Sequence, residues 1–299
     1  MKPTAILTGD IHLRDDQPVC RTDEYFAAQH RKIKWLRELQ EKHDCPVFDA
    51  GDLFSRSKPS HFLLQWAIQE LPERFHTIPG NHDLPSHNLE LLDKSGLGVL
   101  RAAGAATVHL EPWHEAGVAD VYPFPWGMEP VPAPRRRSSE CRIAICHIMT
   151  YQGDSPWPGC QDPDALSLLK RLTGYDLVLT GHNHKPFVVE HERRLLVNPG
   201  SLMRSTSDQA DHKPRVYLWY ADDNHVEPVF VPIEEGVVSR EHIEVVENRD
   251  ERIDAFVSRL SGDWEVSLSF ERNLEEFFGK NRVRQGVKDL VWESVRGEK

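Results

Sequence analysis

The sequence predicts an α/β fold, a sheet covered by helices, with a small α+β unit at its C-terminal end. Two observations carry that expectation. Short apolar runs alternate with longer helix-like segments from residue 5 to about residue 190, the pattern of strands joined by helices. Near residues 234–239 the pattern resets, and the remaining chain alternates strand-like and helix-like stretches on a smaller scale. The expected division is therefore residues 1–235 and 236–299.

In chain order, an apolar strand at 5–7 leads to a helix over 23–42, a strand at 46–50, a helix over 59–71, a strand at 75–78 and a helix over 89–103. Residues 122–140 contain PFPWGMEPVPAPRRRSSE. They read as an irregular surface excursion, since proline removes a ladder donor and fixes the backbone. A strand at 142–146, a helix over 164–172 and the apolar run 175–179, closed by Gly181, come next. Strands dominate afterwards, at 187–190, 195–198, 216–220 and 226–232. The tail reads as strand 243–247, helix 251–260, strand 265–270, helix 273–278 and strand 288–294.

With 299 residues and 39% hydrophobic content, the chain can bury one large core or one core plus a satellite. A net charge of −11 argues against indiscriminate binding to nucleic acid and leaves only a local site for it. Arg135, Arg136 and Arg137 read as a solvated charge run. The five cysteines form an odd set without CxxC spacing, which fits free thiols in a reducing compartment. MKPTAILTGD has too short an apolar run for a signal peptide, and no later run is long enough to cross a bilayer. A cytoplasmic location with no membrane contact is the expectation.

The chemistry sits at strand ends. GDIH presents Asp10 and His12; AGDLF presents Asp52; PGNHD presents Asn81, His82 and Asp83; RIAICH ends on His147; and LTGHNHKPF delivers His182 and His184. In open α/β sheets the loops beyond the carboxyl ends of the strands form the site. If the backbone stays extended after 179, His182 and His184 point the same way, with Gly181 permitting a tight turn. Carboxylates mixed with imidazoles and an amide oxygen suit Mn²⁺, Fe²⁺ or Zn²⁺, whereas Ca²⁺ favours oxygens throughout. The donors are too many for one ion. They fit a two-metal site with ions about 3.5–4 Å apart. Histidines outside these motifs, such as His30, His43, His61, His109, His191 and His225, read as structural.

In that order, GDIH, GDLF, GNHD, a lone strand-end histidine and GHNH resemble the calcineurin-like metallophosphoesterase superfamily over most of residues 5–190. The resemblance implies a four-layer α/β sandwich of two mixed sheets flanked by helices. It also implies that Asp10, His12, Asp52 and His184 hold one metal ion and Asp52, Asn81, His147 and His182 the other, with Asp52 as the bridge. His82 is then the acid that protonates the leaving oxygen, while Gly51 and Asp83 complete the motifs without ligating.

GDLFSRSKPS, GHNHKP and VNPGSLMRSTSDQADHKPRVYLWY further resemble the SbcD-type DNA repair and recombination nucleases, including phage members. That likeness implies DNA as substrate, two divalent ions (Mn²⁺ foremost, with Fe²⁺, Zn²⁺ or Mg²⁺ as alternatives) and a C-terminal cap. It also implies an SbcC-like coiled-coil ABC-type ATPase partner and a homodimer. Ser55 stands where relatives often place a His or Asp supporting the catalytic histidine. Arg14, Arg56, Lys58 and Arg204 lie in loops suited to backbone phosphates. Two other readings stay open: a small-molecule phosphodiesterase or nucleotide phosphatase, and a catalytically silent regulatory or scaffold subunit.

Overall fold

The computed structural model describes residues 2–115, 117–135, 141–241 and 270–296. The chain divides into two compact units, Met1–Ser239 and Arg240–Lys299.

The first unit holds two six-stranded mixed sheets. In the first, β1 (Ala5–Thr8), β2 (Val47–Asp49), β3 (Phe75–Thr77) and β4 (Thr107–Val108) run parallel. The second contains β5 (Trp113–Glu115), β6 (Ala119–Phe124), β7 (Arg142–His147), β8 (Leu177–Gly181), β9 (Phe187–His191) and β10 (Arg194–Asn198). Its strands β6, β7, β8 and β10 are parallel, with β5 and β9 antiparallel at the edges. The chain then returns to the first sheet as β11 (Arg215–Tyr220), antiparallel to β1, and β12 (His225–Phe230).

Period-two alternation explains the layers. Ala5 and Leu7 of β1 pack with Ile143 and Ile145 of β7 in the core between the sheets, which Phe48, Val197 and Trp219 also fill. The intervening Ile6 faces the other way, into a core shared with helices α1 (Tyr25–His43), α2 (His61–Glu70) and α3 (Gly96–Ala103). Ala144 and Cys146 of β7 face α4 (Ala165–Arg171). Helix, sheet, sheet and helix layers follow. The α1 helix buries Ile33, Leu36, Leu39 and Gln40 at helical spacing and stops where Asp44 turns left-handed (φ 44°). Ser60 and Asp164 cap α2 and α4 by accepting backbone N–H bonds, a contribution of about 1 kcal/mol each.

Several elements differ from expectation. The helix expected over 89–103 breaks at Ser95 into a 3₁₀ stretch, Leu89–Lys94, and α3. The Ser95 hydroxyl donates to Leu92 O and accepts from Gly98 N, which caps the new helix. Residues 119–124, whose latter part falls in the stretch expected to be irregular, form β6 despite Pro123. That proline lies past the residues paired with short β5, whose register ends at Trp113↔Val121, so its missing N–H removes no bond on that side.

In the second unit, α5 (Phe270–Lys280) covers the helix expected at 273–278. The expected strand at 288–294 is instead helical, within α6 (Gln285–Arg296). Its apolar residues Val287, Leu290, Val291 and Val295 recur at helical spacing, and Trp292 sets its ring 6.3 Å from that of Phe278. Leu274, Phe277 and Phe278 form this unit's small core. The elements expected at 243–247 and 251–260 lie outside the described residues, as does all of 265–270 except Phe270, which begins α5. All five cysteines are free thiols. No described helix is long and apolar enough to cross a membrane.

Candidate metal centre

The carboxyl ends of β1, β2 and β3 in one sheet and of β7 and β8 in the other meet at one edge of the sandwich. Asp10 and His12 follow β1, Asp52 follows β2, Asn81 to Asp83 follow β3, His147 ends β7, and His182 and His184 follow β8. These residues converge in two groups that could each hold a cation: Asp10, His12 and His184, and Asp52, His147 and His182. Asn81 joins the second, its Oδ1 lying 3.1 Å from His147 Nε2 and 2.9 Å from His182 Nδ1. Asp52 Oδ2 stands between the groups, 3.3 Å from His147 Nε2 and 3.8 Å from His12 Nε2.

The convergence depends on unusual backbone. Asp10 (φ 49°), His12 (φ 53°), Asp52 (φ 56°) and His182 (φ 80°) all occupy the left-handed region, at a cost of order 1–3 kcal/mol each. The HxH pair therefore does not continue an extended strand. Gly181 serves a different purpose from a tight turn: its φ is ordinary, and a Cβ there would meet Ala50 O at 2.7 Å and His147 Nδ1 at 3.0 Å. Gly80 is needed for the same reason, since a Cβ would stand 2.2 Å from Asp52 Oδ1.

Hydrogen bonds then aim the donors. His147 Nδ1 lies 2.7 Å from the Ala50 carbonyl, which only accepts, so Nδ1 carries a proton. In the neutral ring Nε2 is a bare lone pair facing Asn81 Oδ1 and Asp52 Oδ2. Three acceptors facing one another need either a proton on Nε2 or a cation among them, and a cation bound there displaces that proton. In the other group His12 Nε2 and His184 Nε2 stand 3.0 Å apart, where at most one proton fits, with Asp10 Oδ1 3.9 Å from His12 Nε2. Both oxygens of Asp10 accept from the His182 N–H at 3.0 Å. The donor set fits two divalent cations of the imidazole and carboxylate class.

Electrostatics point the same way. Burial pushes the Asp10 carboxyl up to about 7, with Asp52 adding to the shift and His147 opposing it. Burial would lower His147, but the Asp52 carboxylate and its hydrogen bond raise it to about 9. Burial opposes ionisation of Asp52, yet His147 and His12 hold it below the usual carboxylate range. Burial lowers His12 to about 3 and His182 to about 4, so both are neutral imidazoles ready to ligate.

His82 stands apart from both groups. It is exposed, its Nδ1 bonds to Ser55 O at 3.0 Å, and its backbone N–H donates to Asp52 Oδ1 at 2.8 Å. Its ring centroid is 5.0 Å from that of His12. Asp83 is buried beneath, accepting from the backbone N–H groups of Leu53, Phe54 and Gly80. Arg14, Arg56 and Lys58 line one cavity of ≈ 270 Å³ together with Ser55. Arg14 and Arg56 both pair with Asp16. Arg204 differs from them. It is only 3% exposed and bonds the carbonyls of Ala210 and Glu234, so it is not a contact on this surface.

Sequence reasoning missed three neighbours. Asp49, fully buried at the end of β2, accepts from Gly51 N and Thr77 Oγ1 and braces the glycine before Asp52. Trp126 sets its ring 5.0 Å from His182, and His87 Nδ1 lies 2.9 Å from Asn81 O. Asp49 was hidden inside an apolar strand, and Trp126 inside a proline-rich stretch.

Among solved structures, the chain is similar to TT1561 of Thermus thermophilus, with a TM-score of 0.50 and 12% identity over 78% of this chain and 100% of that one. It is also similar to an archaeal phosphodiesterase (TM-score 0.41, 13% identity, 76% and 99% covered). A phosphopantetheinyl hydrolase from Mycobacterium tuberculosis matches with TM-score 0.46 and 14% identity, covering 76% and 96%. The model of the calcineurin-like phosphoesterase superfamily domain matches residues 5–218, the span that carries the whole second sheet, most of the first and every strand-end donor. The chain belongs to the calcineurin-like phosphoesterase superfamily, whose members are dinuclear metal-dependent hydrolases.

Proposed function

We propose that this chain is a Mn²⁺-dependent phosphodiesterase acting on a nucleic-acid strand, a DNA nuclease of repair or recombination. The observation that carries this reading is the position of Ser55. Its carbonyl fixes the His82 ring, and the same residue lines the cavity of Arg14, Arg56 and Lys58. A proton donor and a basic pocket therefore share one loop, an arrangement that supports cleavage within a polyanion. Lys58 is exposed and makes no ion pair among the described residues. The lining carries three cations against Asp15 and Asp16, a local excess of positive charge on an acidic chain.

In this reading Asp10, His12, Asp52 and His184 hold one ion, and Asp52, Asn81, His147 and His182 the other. Bound there, the ions would neutralise phosphoryl oxygens and lower the pKa of water. The chain's own residues do the rest. The Ala50 carbonyl presents His147 Nε2 inward. His82, whose Nδ1–H is held by Ser55 O, would as the imidazolium give its Nε2 proton to the leaving oxygen, a role worth roughly 10²–10⁴-fold in rate. Trp126 walls the site beside His182. The C-terminal residues from 236 onward are assigned as a cap, with an SbcC-like ATPase as partner.

The test is a substrate panel: labelled single- and double-stranded DNA beside bis-p-nitrophenyl phosphate and nucleotides, with Mn²⁺ or EDTA. DNA cleavage that needs Mn²⁺ and falls steeply with salt supports the proposal. Intact DNA with small diesters consumed replaces it with a small-molecule phosphodiesterase, and inertness with metal bound replaces it with a scaffold role.

A further inference from the structure

Beside α1 lies a cavity of ≈ 190 Å³ lined by Arg21, Arg31, Lys32 and Arg204, with Asp23 and Glu234 as its carboxylates. Three of these cations are buried: Arg21 is 7% exposed, Lys32 6% and Arg204 3%. Asp23 is committed to Arg21, which it binds through two bonds of 2.8 and 2.6 Å. Glu234 is committed to Arg31 at 2.7 Å on the rim. Lys32 and Arg204 have no carboxylate partner among the described residues.

Their bonds to carbonyls leave donors over. Lys32 gives one N–H to Leu202 O at 2.8 Å, and an ammonium has three. Arg204 gives its terminal nitrogens to Ala210 O and Glu234 O, while its buried Nε has no partner among the described residues. Arg21 Nη1 adds a bond to the backbone carbonyl of Arg204 at 2.8 Å, and burial, with the Arg21 charge nearby, lowers the Arg204 guanidinium. Buried like charges without a counter-ion are costly, because desolvation and mutual repulsion act together. Burial, with Arg21 and Arg204 nearby, lowers the Lys32 ammonium to about 7, the response of a site short of negative charge.

We propose that this cavity is a second anion site, separate from the metal centre, that binds a phosphoryl oxyanion on Lys32 and Arg204 with Arg21 alongside. A tetrahedral oxyanion offers acceptors to the unused Lys32 donors and supplies the missing charge. The neighbouring segment also reaches the metal centre. Leu202 N donates to Asp10 O at 3.2 Å and Ser201 N to His184 O at 3.1 Å, while Leu202 O holds Lys32.

The probe is radiolabelled inorganic phosphate, measured by equilibrium dialysis on the full chain with Mn²⁺ and again after metal is stripped and the chelator removed. The expected result is one phosphate per chain that survives metal removal. Lys32→Met should abolish that phosphate while hydrolysis of bis-p-nitrophenyl phosphate stays at the wild-type level, and Lys32→Arg should retain it. Should Lys32→Met fail to fold, Ile233→Glu, which sets a carboxylate in the cavity wall, should abolish the same phosphate. A metal-stripped wild type that binds none overturns the proposal, as does a phosphate retained at full affinity in the Lys32→Met and Ile233→Glu chains. Competition by thymidine 5′-monophosphate, by an oligodeoxynucleotide or by neither then identifies a nucleotide, a DNA strand or the free ion as its source. The outcome is independent of the nuclease reading, since metal-free phosphate binding says nothing about which diester is cut.

Discussion

Cation binding to the metal-free chain should release protons at neutral pH, by an amount the centre itself sets. His147, raised to about 9 by Asp52, is fully protonated at pH 7. Its Nδ1 proton is held by Ala50 O, so the proton lost on ligation is the one on Nε2. Asp10, raised to about 7 by burial, is half protonated at the same pH. Loading both ions should therefore expel the His147 proton and part of the one on Asp10. Removing the His147 proton at pH 7 costs about 3 kcal/mol, and metal affinity at that group should rise about a hundredfold between pH 7 and pH 9. Isothermal titration of Mn²⁺ in two buffers of different ionisation enthalpy measures the release directly. Enthalpies that agree between the buffers at pH 7, with affinity flat to pH 9, would refute the lone-pair argument for His147.

Other outcomes follow from the same geometry. His82→Asn should keep both ions and lose about 10²–10⁴-fold in turnover, whereas Asp52→Asn should lose metal and activity together; metal analysis beside kinetics separates the two. Gly80→Ala should displace the Asp52 carboxylate, because the added Cβ would lie 2.2 Å from Oδ1, and the variant should bind metal more weakly while retaining the fold by circular dichroism. Without metal, the native chain holds protons on His147 and Asp10 that the unfolded chain gives up near 6.5 and 3.8. Their contribution to the stability of the metal-free chain should thus be lost as pH rises, that of Asp10 between about 3.8 and 7 and that of His147 between about 6.5 and 9, while His12 and His182, lowered by burial, contribute in the opposite sense below about 6.5. The rise in Tm on adding Mn²⁺ should be larger at pH 9 than at pH 6, and a smaller rise at pH 9 would contradict the assignment.

The strand-end donors were legible because each follows a short apolar run, and parallel strands send their carboxyl ends to one side. Helices α1 and α2 were legible from apolar spacing. What the sequence hid is mostly backbone. The residue types Asp10, His12, Asp52 and His182 only weakly signal positive φ, since Asp and His tolerate that conformation without preferring it and the packed surroundings impose it. Gly181 was visible but misread, because close approach to Ala50 and His147 is a tertiary fact. Pro123 disguised β6, and its tolerance depends on how far its neighbour β5 extends. Arg204 looked like a surface phosphate contact; burial in a second cationic cavity cannot be seen from a basic residue in a polar loop.

The most direct test of the two-ion centre is a Mn²⁺-soaked crystal measured for anomalous scattering at the manganese edge. The structure predicts two peaks, one among Asp10, His12 and His184, the other among Asn81, His147 and His182, with the Asp52 carboxylate between them. A single peak, or a pair that leaves Asp52 outside ligating distance of both, would contradict it.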